Sequence, residues 1–365
     1  MGSFPHDILT KIYESPETSM NYLNLVYVNQ NQLSIERRKQ NEKFQYYQDG
    51  DFLKDGKQLK RIKALVIPPA WQNVFITHLP NGHLQAIGHD AKQRKQYRYH
   101  ELWKKVRNQT KFYRMIEFGE RLPTIRKQTE KDLDQKGWHR SKVLALVLKL
   151  MDETHIRIGN HQYAKRNKTY GLTTLRKRHV AINGNKLRFE FTGKRGKKHK
   201  ITLRNKKLSQ LVSKCEEIPG WELFKFFDSD GEKHHVDSSM VNDYLYEITG
   251  ADFTAKDFRT WAATLVFFDT LIDLGSTTDS RLNQKNILQA YDAAAAALGN
   301  TRNTCRKYYV HPIVPLTYEK GSIEPYFEKA DRAESSNLFS ASEKAVLELI
   351  RAYKPEVLKM IQHED

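Results

Sequence analysis

Cationic, phenolic and amide side chains gather in four short stretches: HIRIGN from His155, TGKRGKK from Thr192, KDFRTW from Lys256 and GNTRNTCRKYYVHP from Gly299. In the third, Thr254 and Asp257 have the spacing of a capping box. A helix starting there carries Lys256 and Arg259 at i and i+3 on its first turns, where unpaired backbone N–H groups favour an anion. A solvated helix face would use the same pattern. Arg157 falls near the end of a preceding helix, a place where the macrodipole welcomes a cation without any further role. Lys194 lies between Gly193 and Gly196 and is one of four bases in a hairpin tip. Gly299 and Asn300 both tolerate the left-handed conformation of a helix cap. Tyr163, Tyr308 and Tyr309 offer phenols, whose commoner fate is packing. The chemistry on offer is charge-assisted binding of an anion. Fourteen His residues, among them His234, His235 and His311, raise a metal reading. No Cys or carboxylate completes a ligand set at a recognisable spacing, so no metal is expected.

The elements that must position these groups fall into two regimes. Before about Glu101 the chain shows strand patterns: LVYV at Leu25, ALVIPPAW from Ala64, VFITHL from Val74 and HLQAIGHD from His83. Pro80-Asn81-Gly82 marks a hairpin turn between the last two. Beyond it helical periods dominate, starting with Ser141 to Gly159, where apolar residues take one face until Gly159 stops the helix. Further helices are expected over Thr254–Leu274, Gln284–Leu298 and Ser340–Ile361. One β insertion interrupts them, from Val180 to Leu203: Leu187, Phe189 and Phe191 alternate with polar residues between turn signals at Asn183-Gly184 and Gly193 to Gly196. The expected architecture is α+β, with a small, mainly antiparallel β domain over 1–102 and a larger, mostly helical domain over 103–365 carrying a β-hairpin insertion.

With 365 residues the chain is long enough for two such domains, and a hydrophobic fraction of 39% supplies real cores. A formal net charge of +18 does nothing for a fold and implies a polyanionic partner. The excess is local: Lys92 to Lys149 holds seventeen bases against six acids, and Lys186 to Lys207 holds ten against Glu190 alone. In QYRYHELW and just before it, Lys95 and Arg98 interleave with Tyr97, Tyr99 and Trp103, which suits duplex DNA neutralised from two sides. Cys215 and Cys305 alone suggest a reducing compartment. The start lacks the apolar core of a signal peptide, and the longest apolar run, Val143 to Met151, is too short to span a bilayer. A soluble cytoplasmic protein with no membrane partner is expected.

Taken together, in this order and at these spacings, the four stretches resemble the catalytic constellation of type IB DNA topoisomerases, in the compact bacterial and poxvirus branch. VIPPAW, HLQAIGHDAKQRKQYRYH and Trp103 are similar to that branch's β-rich domain. The resemblance implies that Tyr309 is the nucleophile, in preference to Tyr308, that Arg157 and Arg259 bind the scissile phosphate and that Lys194 donates a proton. Asn300, nine before the nucleophile, matches a position that holds His or, in bacterial members, an Asn donating to a phosphate oxygen. An amide binds but cannot titrate. Lys256 and Tyr163 match DNA contacts.

Residues of these types are what the implied reaction needs. Two guanidinium forks can donate to non-bridging oxygens as charge builds there. A free phenol has a pKa of about 10, so roughly one in a thousand is ionised at pH 7 and cations or a base must help it react. The resemblance further implies a clamp on duplex DNA, nicking through a 3′-phosphotyrosyl link, rotation and resealing, with no nucleotide, metal or other cofactor, by a monomer in the bacterial cytoplasm at the nucleoid. Two rivals accompany it. A tyrosine recombinase normally has His three residues before the second Arg, where Lys256 stands; a non-catalytic DNA-binding protein could keep the scaffold.

Overall fold

The computed structural model describes Leu9, Lys11, Ile12 and residues 14–356. The chain divides into two compact units, one running to Arg114 and joined by residues from Lys354 onward, the other spanning Met115–Tyr353.

In the first unit a six-stranded antiparallel sheet comprises Ile35–Gln40, Lys43–Gln48, Asp51–Phe52, Gln72–Ile76, Leu84–His89 and Lys95–Tyr99. Ile35–Gln40 sits inside it, pairing Ile35 with Gln48 on one side and Ile76 on the other. The helix Gly56–Ala64, capped by Asp55, contributes Ile62 to a core with Ile35, Val74, Ile76 and Ala86. Two expected strands are absent. LVYV makes only a bridge from Val26 to Gly82, and most of ALVIPPAW is a loop after the helix. Pro68 and Pro69 have no N–H for a ladder, and the carbonyls of Ile67, Pro68 and Trp71 accept instead from the buried Arg37 guanidinium. The expected boundary at 102 also moves: the helix Glu101–Tyr113 belongs to this unit, packing Trp103 and Val106 with Leu9, Ile12, Met20 and Leu23.

The second unit is mostly helical. At its centre lies Arg140–Thr154, whose residues Val143 to Leu148 are buried on every side rather than on one face, as befits a helix surrounded by others. It stops at Thr154, before the expected Gly159, because His155 adopts a left-handed conformation with φ 55°. Arg157 therefore lies on extended chain beyond the helix. Around it pack Met115–Leu133, Ser238–Thr249 and Ala255–Leu274, and on Ala255–Leu274 in turn pack Ser280–Leu298 and Ala341–Arg351. The last ends well before the expected Ile361, and residues 357–361 of that expectation lie outside the described ones.

A buried polar network ties four of these helices together. Arg126 donates to Asp152 at 2.8 Å and to Glu343 at 2.8 Å, and Trp261 Nε1 donates to Glu343 at 3.0 Å. The β insertion is a three-stranded meander of Val180–Asn183, Lys186–Thr192 and Lys198–Arg204, with Leu187, Phe189 and Phe191 buried. Among the described residues no helix is long and apolar enough to cross a membrane.

Candidate active site

Four of the expected site residues converge in the second unit, each delivered by a different element. Arg157 is held by a close crossing of two backbones. Its carbonyl accepts from Leu172 N–H at 2.9 Å, and a Cβ added to Gly171 would stand 2.4 Å from that carbonyl oxygen and 2.6 Å from Gly159 Cα. Two glycines, one at φ +101°, let the chains touch there and fix where Arg157 begins. Its guanidinium donates to Asn300 Oδ1.

Arg259 leaves the second turn of Ala255–Leu274, a helix opened by the capping box of Thr254 and Asp257. Its side chain is buried, and it donates to the carbonyls of His155 and of Leu298, the latter at 2.8 Å. Leu298 is the last residue of Ser280–Leu298, and His155 directly follows Arg140–Thr154, so one guanidinium satisfies carbonyls at two helix C-termini. Burial first, and Arg157 beside it second, push the Arg259 pKa down to about 10. Burial also lowers that of Arg157, with Tyr309 opposing it.

Gly299 takes the left-handed cap position at φ 61°, and Asn300 N–H bonds Ala295 O at 2.9 Å. The backbone thus does the capping and leaves the Asn300 side chain to the site. Tyr309 follows the short helix Arg302–Tyr308. It is half-buried, its N–H donates to Cys305 O at 3.0 Å, and Thr264 Oγ1 donates to its carbonyl at 3.4 Å. The Arg259 Cζ lies 5.6 Å from its ring centroid. Tyr308 is 46% exposed beneath Lys307. Arg259 Nε and Asn300 Nδ2 are buried donors with no oxygen or nitrogen acceptor among the described residues.

The remaining expected residues are not gathered into this cluster. Lys194 is exposed on the hairpin tip, where Arg195 takes φ 63°. Lys256 is exposed at its helix start, and Tyr163 is 49% exposed on His161–Asn167, a helix capped by Asn160. In the first unit Tyr97 and Tyr99 stack at 5.9 Å, Lys95 donates to Gln30 Oε1, and Arg98 Nε is committed to Leu65 O at 2.7 Å. His234 pairs on the surface with Asp228, and among the described residues no group of three His, Cys, Asp or Glu is arranged to hold a metal.

Sequence reasoning missed three neighbours. Lys197 Nζ reaches Asn300 O at 3.5 Å, the buried Cys305 thiol sits among Asn300, Arg259 and Arg157, and His199 touches both the hairpin loop and Gly299. The signal for His199 was slight, since KHKITLR reads as a solvated basic strand.

The comparisons with known proteins fit this geometry. The family model for the eukaryotic DNA topoisomerase I catalytic core matches residues 100–332, and that for the bacterial DNA topoisomerase IB N-terminal domain matches 43–90. DNA topoisomerase 1B of Acanthamoeba polyphaga mimivirus is 32% identical over 332 residues, covering 89% of this chain and 96% of its own. DNA topoisomerase 1B of Vaccinia virus and DNA topoisomerase I of Monkeypox virus are each 22% identical over 226 residues, 61% of this chain and 69% of theirs. A catalytic-core match over most of the chain, and a relative aligned almost end to end, show that this chain belongs to the type IB DNA topoisomerases.

Proposed function

We propose that Tyr309 attacks a backbone phosphodiester of duplex DNA, that Arg157, Arg259 and Asn300 hold the non-bridging oxygens, and that Lys194 protonates the departing strand. The Tyr309 O–P bond forms as the P–O5′ bond breaks, the phenolic proton passes to water, and the Lys194 proton passes to O5′. One ester replaces another, so resealing needs no nucleotide. Torsional strain then drives rotation of the free end.

The observation that carries this reading is the pair of buried, unpaired donors, Arg259 Nε and Asn300 Nδ2, in the cluster with Arg157 and Tyr309. A buried donor without an acceptor costs about 1–3 kcal/mol, a penalty that an incoming phosphate oxygen would remove. All four groups come from one chain, which supports action as a monomer. Lys256 and Tyr163, with Lys95, Tyr97, Arg98 and Tyr99 of the first unit, are proposed as contacts to the duplex. The match to a bacterial N-terminal domain supports work at the nucleoid in a bacterial cytoplasm.

The test is relaxation of supercoiled plasmid in EDTA without ATP. The parent should relax supercoils of both signs. Tyr309→Phe should bind DNA but form no covalent adduct and relax nothing; residual relaxation by that variant would move the nucleophile elsewhere.

A further inference from the structure

His199 lies on the returning strand of the hairpin, opposite Phe191, and its ring stacks on the Phe191 ring at 5.0 Å and 11°. Its two edges meet two glycines. A Cβ added to Gly193 would stand 2.6 Å from His199 Nε2, and one added to Gly299 would stand 2.4 Å from His199 Cε1. Gly193 immediately precedes Lys194, and Gly299 immediately precedes Asn300. The loop between the strands is itself tight, with Gly193 N–H donating to Lys197 O at 2.7 Å and Gly196 N–H to Gly193 O at 3.0 Å. The imidazole is therefore packed between the base of the Lys194 loop and the turn that presents Asn300.

We infer that His199 is a positioning residue, docking the Lys194 loop on the Gly299-Asn300 turn and so fixing where Lys194 delivers its proton. This rests on the role given to Lys194 above. A flat ring fills a slot that only side-chain-free neighbours leave open. The groups facing it are Lys197 from its own hairpin, Arg157 from the extended segment and Arg259 from its helix; burial first, and these cations after it, push its pKa down to about 4. The ring is neutral at neutral pH, which lets it sit among three cations without repelling them.

The experiment measures single-turnover cleavage of a duplex with an ordinary 5′ oxygen leaving group and of one with bridging sulfur, whose thiolate departs without a proton. Lys194→Ala should slow the first about 10²- to 10⁴-fold, the range for loss of a general acid, and spare the second. His199→Ala should give the same signature at smaller size, up to about 100-fold, the scale of a misplaced catalytic group. Adding it to Lys194→Ala should slow cleavage no further.

Gly193→Ala supplies an independent arm that keeps the imidazole but crowds it. With φ −96° its backbone accepts alanine, so its effect comes from the methyl meeting His199. It should slow the oxygen substrate in the parent and have no added effect beside His199→Ala. Thermal unfolding confirms that each variant folds. Equal slowing on both substrates by a folded His199→Ala, or an effect that multiplies with Lys194→Ala, would reduce His199 to general structural support. If Lys194→Ala itself is not rescued by sulfur, the Lys194 assignment falls and this inference with it; rescue of Lys194→Ala without rescue of His199→Ala overturns the docking role alone.

Discussion

Arg259→Ala should weaken the fold and the reaction together, because the proposed mechanism gives one side chain both tasks. Its guanidinium satisfies the carbonyls of His155 and Leu298, and truncation leaves two buried acceptors bare at about 1–3 kcal/mol each. Relief of the buried charge and of its repulsion from Arg157 offsets part of that, so a net loss of about 2 kcal/mol is expected. At about 2–4 °C per kcal/mol for a unit of this size, unfolding should fall by about 4–8 °C. Removing one pre-placed donor from a developing oxyanion typically costs about 10²- to 10³-fold in rate, or about 2.7–4 kcal/mol.

Arg259→Lys keeps the charge, but one ammonium cannot span two helix ends and a phosphate oxygen. It should lose comparable stability and recover only part of the rate. The assays are thermal unfolding without DNA and single-turnover cleavage with enzyme in excess over a duplex oligonucleotide. Cleavage by Arg259→Ala within tenfold of the parent, alongside the expected drop in unfolding temperature, would make Arg259 a structural residue only. A large rate loss with unchanged stability would refute the role given to the two carbonyl bonds.

Tyr308→Phe, at an exposed ring, should relax plasmid at close to the parental rate, whereas Tyr309→Phe traps no phosphotyrosyl adduct on a denaturing gel. Glu343→Ala should cost about 3 kcal/mol in chemical denaturation, since it strips a carboxylate from the buried Arg126 and an acceptor from Trp261. Burial alone would raise the Glu343 carboxyl, but Arg126 holds it below the usual range; its contribution is present above the unfolded pKa of about 4.3 and fades as pH falls through the lower folded value, so Glu343→Gln should flatten the acid limb of unfolding temperature against pH. His179 is pushed down to about 4 by burial and by Arg178 and Arg176, and its Nδ1 accepts from Arg176 N–H at 3.1 Å. The unfolded ring binds a proton at about 6.5, so stability should fall as pH drops from there toward 4, and His179→Asn should remove that part of the slope.

What the sequence made legible was local. The capping box at Thr254, the alternation of Leu187, Phe189 and Phe191 and the turn at Asn183-Gly184 stand in the structure because each is decided within a few residues. The strands Ile35–Gln40 and Lys43–Gln48 went unseen, since IERRKQ and KFQYYQ carry almost no apolar alternation. Their place is set by long-range pairing and by Arg37, buried because three distant carbonyls receive it. The apolar run at Ala64 misled in the opposite direction, its prolines turning strand composition into a loop. Helix Arg140–Thr154 ended early because His155, a non-glycine, took the left-handed position that Gly159 was expected to fill. At the site, resemblance rather than spacing named Arg157, Arg259, Asn300 and Tyr309; their convergence depends on the Gly159–Gly171 crossing and on the two helix ends at Arg259. His199 stayed hidden because its contacts, Gly193 and Gly299, leave no trace beyond two ordinary glycines.

On the proposed mechanism, the charge balance of the cluster favours bond exchange over simple DNA binding. Arg157 lies close enough to Arg259 to push its pKa down, and the groups between them and the hairpin, His199 and Asn300, are neutral. A phosphodiester brings one negative charge, which leaves the pair of cations under-neutralised. In the proposed reaction, charge accumulates on the non-bridging oxygens as the Tyr309 oxygen joins phosphorus, and the same fixed donors are then more nearly matched. The repulsion stored in the free protein is relieved most at that point and less in the bound ground state. A titrating imidazole at position 300 would make that balance vary with pH, whereas the amide of Asn300 keeps it constant. Burial of Arg259 supports the same end: its carbonyl partners at His155 and Leu298 hold the charge in place before DNA arrives, so little reorganisation is needed when the phosphate changes shape.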